Sequence, residues 1–561
     1  VKKLRRGRYP QVEPGAAALM RRGVAPCPTR ATVREALRLV RRRRLRLLTL
    51  REGATSGAIF PADLGRARAL GLGTRRAAAV ARWEIPVVTL STPEAVVRRH
   101  LLEGAPAVLV RDGRRVVGAV ESSVLPAGRP ALSLLPRLER QLTRETLGLL
   151  RRIGGLGESL GVRTYAVGGF VRDILLGREA RELDIVVEGD GLALARRLAE
   201  ELGSTLTIHA TFQTASLESG ALRLDVATAR QERYRRPGAL PQVTPASLGE
   251  DLPRRDFSVN AMALVLTPPG FGDLLDPLRG APDVARRRLS ILHPLSFVED
   301  PTRIFRAVRY QTRLGLTPDR GSRRALRLAL DRMPYPALSG QRLLAEVELI
   351  LSEPDPERSL IALGRLGAFR ILDPSYTFPP LAARRVADLA SLRRFMRERA
   401  IPLDPLALTL VALVGHLRPV VAGRCFERLA LSGEPLARLT TAVREGPDLA
   451  KRLGRARLMP PSARAALLRR QLPETLGAAW LAGTALARRQ VEWFVGEGRT
   501  VEPLLGGDDL IALGVAPGPD MGDLLDRLRD CRLDGLTVTR DEEIALVREW
   551  MGGARQKANC G

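Results

Sequence analysis

The sequence predicts a multidomain chain: an α/β pair first, then an α+β region built on a mixed sheet, then an all-α array. Three patterns predict it. A unit of helix, strand, turn and strand recurs about 60 residues apart near the N-terminus. Strand-like runs alternate with amphipathic helix between Thr164 and Tyr310. From about Phe297 onward, Leu-, Ala- and Arg-rich segments of helical period follow one another, punctuated by Pro and Gly. The 561 residues suffice for about three to five domains of ~100–200 residues each.

The first copy of the repeat joins a helix over 32–40 to an apolar strand over 45–50, followed by Arg51-Glu52-Gly53 and Gly57-Ala58-Ile59. The second joins a helix over 93–102 to a strand over 107–110, followed by Arg111-Asp112-Gly113 and Gly118-Ala119-Val120. Such copies are expected to pack as a pseudo-two-fold pair. A Pro/Gly link over 126–136 and one helix over 137–159 then lead into the central region. Strands are expected there at 166–167, 185–187, 222–226 and 261–266, with a helix over 192–202. The expected domain limits are 1–130, 140–270, 271–345, 346–480 and 481–561.

Composition narrows the function. Hydrophobic residues make up 45% and charged residues 27%, the balance of a globular protein. The longest uninterrupted apolar segment, Pro405–Val414, is too short to span a bilayer, so no membrane role is expected. The basic start, Val1-Lys2-Lys3-Leu4-Arg5-Arg6, is not followed by an apolar stretch and does not read as a secretory signal. Cys27, Cys425, Cys531 and Cys560 lie far apart, which argues against a disulfide scaffold or zinc site and for a reducing cytoplasm. The net charge of +29 favours a polyanionic partner such as nucleic acid. All of the 90 cations except Lys2, Lys3, Lys451 and Lys557 are arginine, so an Arg-loaded surface is the alternative.

Four motifs carry chemistry. Gly168-Gly169-Phe170-Val171-Arg172-Asp173 follows a strand and opens a helix, where backbone N–H groups can approach a phosphate and Arg172 can grip it; a tight turn is the plainer reading. Ten residues after Arg172 comes Glu182-Leu183-Asp184. On a strand its two carboxylates share one face, and oxygen ligands of this kind suit Mg²⁺. Asp225, at the end of another apolar run, could join them from a neighbouring strand. Two metals bridged by such carboxylates would activate a hydroxyl and stabilise a departing pyrophosphate. The third motif, Asp251 to Ala263, places Arg254 and Arg255 where they could hold triphosphate oxygens. In the fourth, Asp300 opens a helix on which Arg303, Arg306 and Arg309 form a cationic stripe, with Ile304, Phe305 and Val308 toward the core.

Together these motifs resemble the bacterial class II tRNA nucleotidyltransferases of the CCA-adding and poly(A) polymerase family. The matching elements are GG-x-VRD, the paired acids, RRDF-x-x-NAMA and ED-x-x-R-x-x-R, in the family's order over about Thr164–Tyr310. Gln341-Arg342 with Glu346, the stretch 354–374, and the segments 504–510 and 513–519 resemble the neck, body and tail. The resemblance implies a nucleotidyltransferase head followed by an all-α neck, body and tail. It implies Mg²⁺-dependent, template-independent addition of C and/or A from CTP and ATP to the tRNA 3′ end. A-only addition, CC-only addition and poly(A) synthesis are same-class alternatives; a non-catalytic RNA- or adenylate-binding protein is the alternative of another class. Implied roles are Glu182 and Asp184 as metal ligands, with Asp225 assisting. Gly169, Arg172 and Arg255 would meet the triphosphate, Asp300 and Arg303 would read the base, and Arg306 and Arg309 would complete the pocket. One departure stands out: the family has Asp-x-Asp where this chain has Glu182-Leu183-Asp184, with the same ligand atoms on a stem one methylene longer.

The N-terminal repeat resembles a CBS pair, which the longer family members carry before the head. Such a pair binds adenine nucleotides in its cleft or serves as a structural or homodimerising spacer. Those longer members often carry a phosphoesterase-like domain further upstream, and a chain starting at Val1 leaves room for one.

Overall fold

The computed structural model describes residues 15–121, 132–179, 182–219, 222–399, 404–455 and 459–558. The basic start and residues 126–131 of the Pro/Gly link lie outside the described residues. Two compact units result, Val1–Ser339 and Gly340–Gly561.

The first unit opens with α1 (Ala16–Leu19) and then runs one topology twice. The first pass is β1 (Val24–Pro26), α2 (Val33–Arg43), β2 (Leu47–Glu52), β3 (Thr55–Ile59) and α3 (Pro61–Ala69), closed by β4 (Arg82–Trp83). The second is β5 (Val87–Thr89), α4 (Glu94–Leu102), β6 (Ala107–Asp112) and β7 (Arg115–Glu121). In both, the leading strand pairs parallel with the second, which turns antiparallel into the third. Strand alternation explains the packing. Val108 and Val110 face α4 residues Val97 and Leu101, while Ala107 and Leu109 join Leu47, Ala58 and Ile85 of the first copy in a shared core. Helix α2 runs three residues beyond its expected end. Thr32 and Glu35 close a capping box at its start, and Arg41–Arg43 in the last turn suit the negative end of the helix dipole.

The expected single helix over 137–159 is two helices, α5 (Leu135–Gln141) and α6 (Arg144–Ser159), preceded by β8 (Leu132–Ser133). The break falls at Thr143, whose hydroxyl accepts from the Thr146 N–H and caps a new start. Helix α6 lies close on the sheet through small residues. A Cβ on Gly154 would stand 2.0 Å from the Leu266 carbonyl oxygen.

The central sheet is built from β9 (Arg163–Val167), β10 (Glu182–Glu188), β11 (Thr205–His209), β12 (Thr214–Ser219), β13 (Leu222–Thr228), β16 (Ala263–Val265) and β17 (Asp273–Leu275). The ribbon β14 (Arg230–Arg233) and β15 (Gln242–Pro245) stands apart from it. The order is β11-β12-β13-β10-β9-β16-β17-β8, antiparallel throughout except for the parallel pair β10 and β13. This is the mixed sheet that was expected. The strand expected over 261–266 shortens to β16 because Ser258–Asn260 turns as a 3₁₀ helix. Helices α7 (Gly169–Leu176) and α8 (Gly191–Leu202) follow β9 and β10. The short α9 (Leu248–Asp251), α10 (Gly280–Ala285) and α11 (Ser296–Glu299) lead to α12 (Thr302–Leu314) and α13 (Arg320–Leu330).

The second unit is all-helical among its described residues, as the sequence predicts, from Gly340–Leu351 to Arg540–Ala558. Pro405–Val414 is its buried apolar centre. The long helix Gly433–Gly454, which contains Pro447, packs tightly on Pro473–Ala482, where a Cβ on Gly446 would stand 2.4 Å from that of Ala478. The last helices enclose a separate core of Leu505, Leu510, Val515, Leu528 and Val547. No helix of the described residues is long and apolar enough to cross a membrane.

Candidate active site

Strand β10 sets the site. Period-two alternation sends Leu183, Ile185 and Val187 to one face and Glu182, Asp184 and Val186 to the other. The inner end of that second face is apolar, with Val186 against Tyr165, Val167 and Ala263. At the outer end Glu182 is exposed and Asp184 half-buried. Parallel pairing with β13 puts Asp225 directly opposite Asp184. The Asp225 carboxylate accepts from the Ser216 hydroxyl at 2.5 Å on β12.

Burial pushes the Asp184 carboxyl above its ordinary range; Arg255 pulls it back, and the charges of Asp225 and Glu182 push it up again. Crowded carboxylates of this kind are relieved by a hard cation. Among the described residues no group of three His, Cys, Asp or Glu side chains could hold a metal ion. Asp184, Asp225 across from it and Glu182 on the same face offer only hard oxygen donors, the kind a divalent cation takes.

The turn from β9 into α7 meets this edge. Gly168 has φ +70° and ψ −131°, and a Cβ there would stand 3.2 Å from Asp184 Oδ2 and 3.5 Å from Arg255 Nη1. Glycine thus leaves a cradle between acid and arginine that any side chain would fill. Gly169 starts the helix, whose first N–H groups have no acceptor within the helix and no side-chain cap at Gly168.

The arginines are held by acids. Asp251 is fully buried and takes Arg254 at 2.6 and 3.0 Å and Arg255 at 2.9 and 3.1 Å. Arg254 also reaches Glu232 at 2.7 Å. Asp256 accepts from Asn260 at 3.0 Å and from Arg306 at 2.8 Å. Burial alone would raise Asp256, but Arg306, the Asn260 amide and Arg303 hold its carboxyl at about 2. Arg172 is turned inward, only 4% exposed, donating to Asp173 at 2.9 and 3.0 Å and to Asn260 at 2.7 Å.

On α12, Arg303 and Arg309 are buried and Arg306 is a third exposed. The cationic stripe is wrapped into the protein, with Arg303 and Arg309 buried. Arg303 donates to the Ser296 hydroxyl and the Arg254 carbonyl, at 2.6 and 2.7 Å. Tyr310 explains the rest. Its ring lies 5.2, 5.6 and 5.3 Å from the guanidinium carbons of Arg172, Arg306 and Arg309, so one aromatic ring collects three cations. Asp300 caps the same helix, accepting from the Thr302 N–H and hydroxyl.

Sequence reasoning left Asp251, Asp256, Asn260 and Tyr310 without roles. Spacing held the signal: Asp251 precedes Arg254 and Arg255 by three and four residues, and Tyr310 follows Arg306 by four.

A mixed sheet carrying acids beside a glycine turn and an arginine cradle defines a nucleotidyltransferase head. Residues 164–290 match the poly A polymerase head domain. The chain is 31% identical to an A-adding tRNA nucleotidyltransferase of Geobacter sulfurreducens over 95% of its own length, spanning 64% of that protein. It is 33% identical to a CC-adding tRNA nucleotidyltransferase of Deinococcus radiodurans, over 69% of this chain and 89% of that one. A solved complex of a CCA-adding enzyme with ATP superposes with a TM-score of 0.65 and 28% identity, over 75% of this chain and 99% of that one. The chain belongs to the tRNA nucleotidyltransferase family.

Proposed function

We propose that this chain extends the 3′ end of tRNA without a template, and that A, taken from ATP, is the nucleotide it adds. The register that sets Asp184 against Asp225 at the mouth of an arginine cradle supports the transfer. The choice of A rests on the similarity to the A-adding Geobacter protein, which covers 95% of the chain, N-terminal pair included. Similarity to the CC-adding Deinococcus protein favours C addition as the second reading.

In this reading the terminal ribose hydroxyl attacks the α-phosphate and pyrophosphate leaves, so one P–O bond forms as another breaks. Glu182 and Asp184 would hold Mg²⁺, with Asp225 assisting. When bound, the ion supplies neutralising charge for the triphosphate and lowers the pKa of the attacking hydroxyl. The backbone at Gly169 and the guanidinium of Arg255 orient the phosphates, while Asp251 keeps Arg255 aimed. Asp300 and Arg303 offer an acceptor and donors to the base edge, so protein stands in for a template. Arg306 and Arg309 close the pocket on their Tyr310 platform, and Arg172 braces it from within.

We read the domains as a CBS-like pair over 1–130, a head over 140–270, a neck over 271–345, a body over 346–480 and a tail over 481–561. The twice-used strand–helix–strand–strand topology supports the CBS reading, with an adenine nucleotide in the cleft or a homodimer as its use. The site of action would be the cytoplasm, where tRNA ends are processed. Incubation with Mg²⁺, labelled ATP or CTP, and tRNAs ending before the first C, the second C or the A tests the reading. Extension only of the tRNA lacking A is expected; extension of the others reassigns the chain to CC or CCA addition, and extension of none removes the catalytic reading.

A further inference from the structure

Helix α11 is four residues long, yet it ties down the start of α12. Ser296 receives Arg303, and Glu299 immediately precedes Asp300. The Glu299 carboxylate is buried, at 8% exposure, between an imidazole and a guanidinium from different parts of the chain. His293 Nε2 lies 3.3 Å from it and Arg66 Nε 3.2 Å. Burial holds the His293 imidazole below its ordinary range, so it contributes a hydrogen bond rather than a charge. Burial would raise the Glu299 carboxyl, but His293, Arg66 and Arg303 hold it below its ordinary range, so Glu299 stays ionised.

Arg66 comes from α3 of the N-terminal pair. A second contact from the same pair adjoins it: Arg82, gripped by Asp63 at 2.8 and 3.2 Å, donates to the Leu292 carbonyl at 3.4 Å. The N-terminal pair therefore clasps the segment 292–299 just before the residues read as base-selecting. The Arg66 side chain is 42% exposed. What depends on it is charge balance. Without Arg66, the cation still acting on a buried, ionised Glu299 is Arg303, which would be drawn from Ser296 and the Arg254 carbonyl.

We propose that Arg66 is a positioning residue for nucleotide selection, through which the N-terminal pair holds Glu299 and keeps Arg303 on Ser296 and the Arg254 carbonyl, the placement from which it reads the base. The proposal rests on the reading of Asp300 and Arg303 as the base-recognising pair. The test uses the full chain with Arg66→Gln, Arg66→Lys and, as a control, Arg46→Gln, whose partner Glu121 lies within the N-terminal pair. ATP and CTP affinities are measured by equilibrium titration, and KM and kcat by tRNA extension.

Arg66→Gln should weaken nucleotide binding and raise its KM about fivefold and narrow the difference between ATP and CTP. Its kcat at saturating nucleotide and its tRNA affinity should stay near those of the unchanged chain. Arg66→Lys should restore selection, and Arg46→Gln should change nothing. Unaltered nucleotide affinity and selectivity in Arg66→Gln, or an equal loss in Arg46→Gln, would overturn the role. If the unchanged chain extends no tRNA, the transferase reading fails, while the nucleotide titration still decides the role of Arg66.

Discussion

Asp251 carries two arginines on one carboxylate, and Asp256 carries a third together with an asparagine amide. Positive charge in the cradle is therefore aimed by buried acids, and Arg255, held by Asp251, acts in turn on Asp184. Asp184→Asn keeps shape but removes the charge opposite Asp225. Incorporation should fall by at least about a thousandfold, as when a group acting on transition-state charge is lost, while tRNA affinity stays within about twofold. Single-turnover extension and a filter-binding titration check both halves. Asp256 gives an acid signature. Its folded carboxyl lies at about 2 against an ordinary 3.8, so its contribution is complete above the ordinary value and is lost as pH falls toward 2. That contribution amounts to about 2 kcal/mol. Melting temperature plotted against pH should fall less steeply between about pH 4 and 3 in Asp256→Asn than in the unchanged chain. Equal slopes would show that the pair does not stabilise the fold.

Among elements, the turn from β9 into α7 is the most constrained. Gly168→Ala would force a side chain onto φ +70° and against Asp184. A loss of about 1–3 kcal/mol is expected from the backbone alone, with activity reduced further because the carboxylate must move. Thermal unfolding and extension rate measure the two parts. The paired acids, the glycine turn and Asp300 were legible in the sequence because each depends on local spacing along one strand or helix. The inward turn of Arg303 and Arg309 was not. Hydrophobic periodicity assigns arginine to solvent, and only the tertiary placement of Tyr310 and Ser296 shows that these arginines line an interior wall. Likewise the break at Thr143 is a choice between capping and continuing a helix, and apolar spacing on both sides is compatible with either.

Over the whole molecule, charge and topology act together. A net charge of +29, carried mostly by arginine, should make tRNA binding strongly ionic. Raising salt from about 50 to 200 mM should weaken it at least about a hundredfold, as expected when several phosphates are neutralised. A flat response would mean that the arginine surface serves something other than RNA. The succession of an α/β pair, a mixed sheet and helices was readable from pattern alone. The clasp of Arg66 on Glu299 was not, since it joins residues that no local rule relates. The parallel neighbours β10 and β13 carry a further consequence. A strand has only two sides, so displacing β13 by a single position would point Asp225 at the opposite layer and bring Leu224 or Val226 into its place. No intermediate alignment offers a weakened version of the same centre. In a population of partly damaged molecules, turnover should thus vanish molecule by molecule, leaving the survivors at full speed rather than slowing them all.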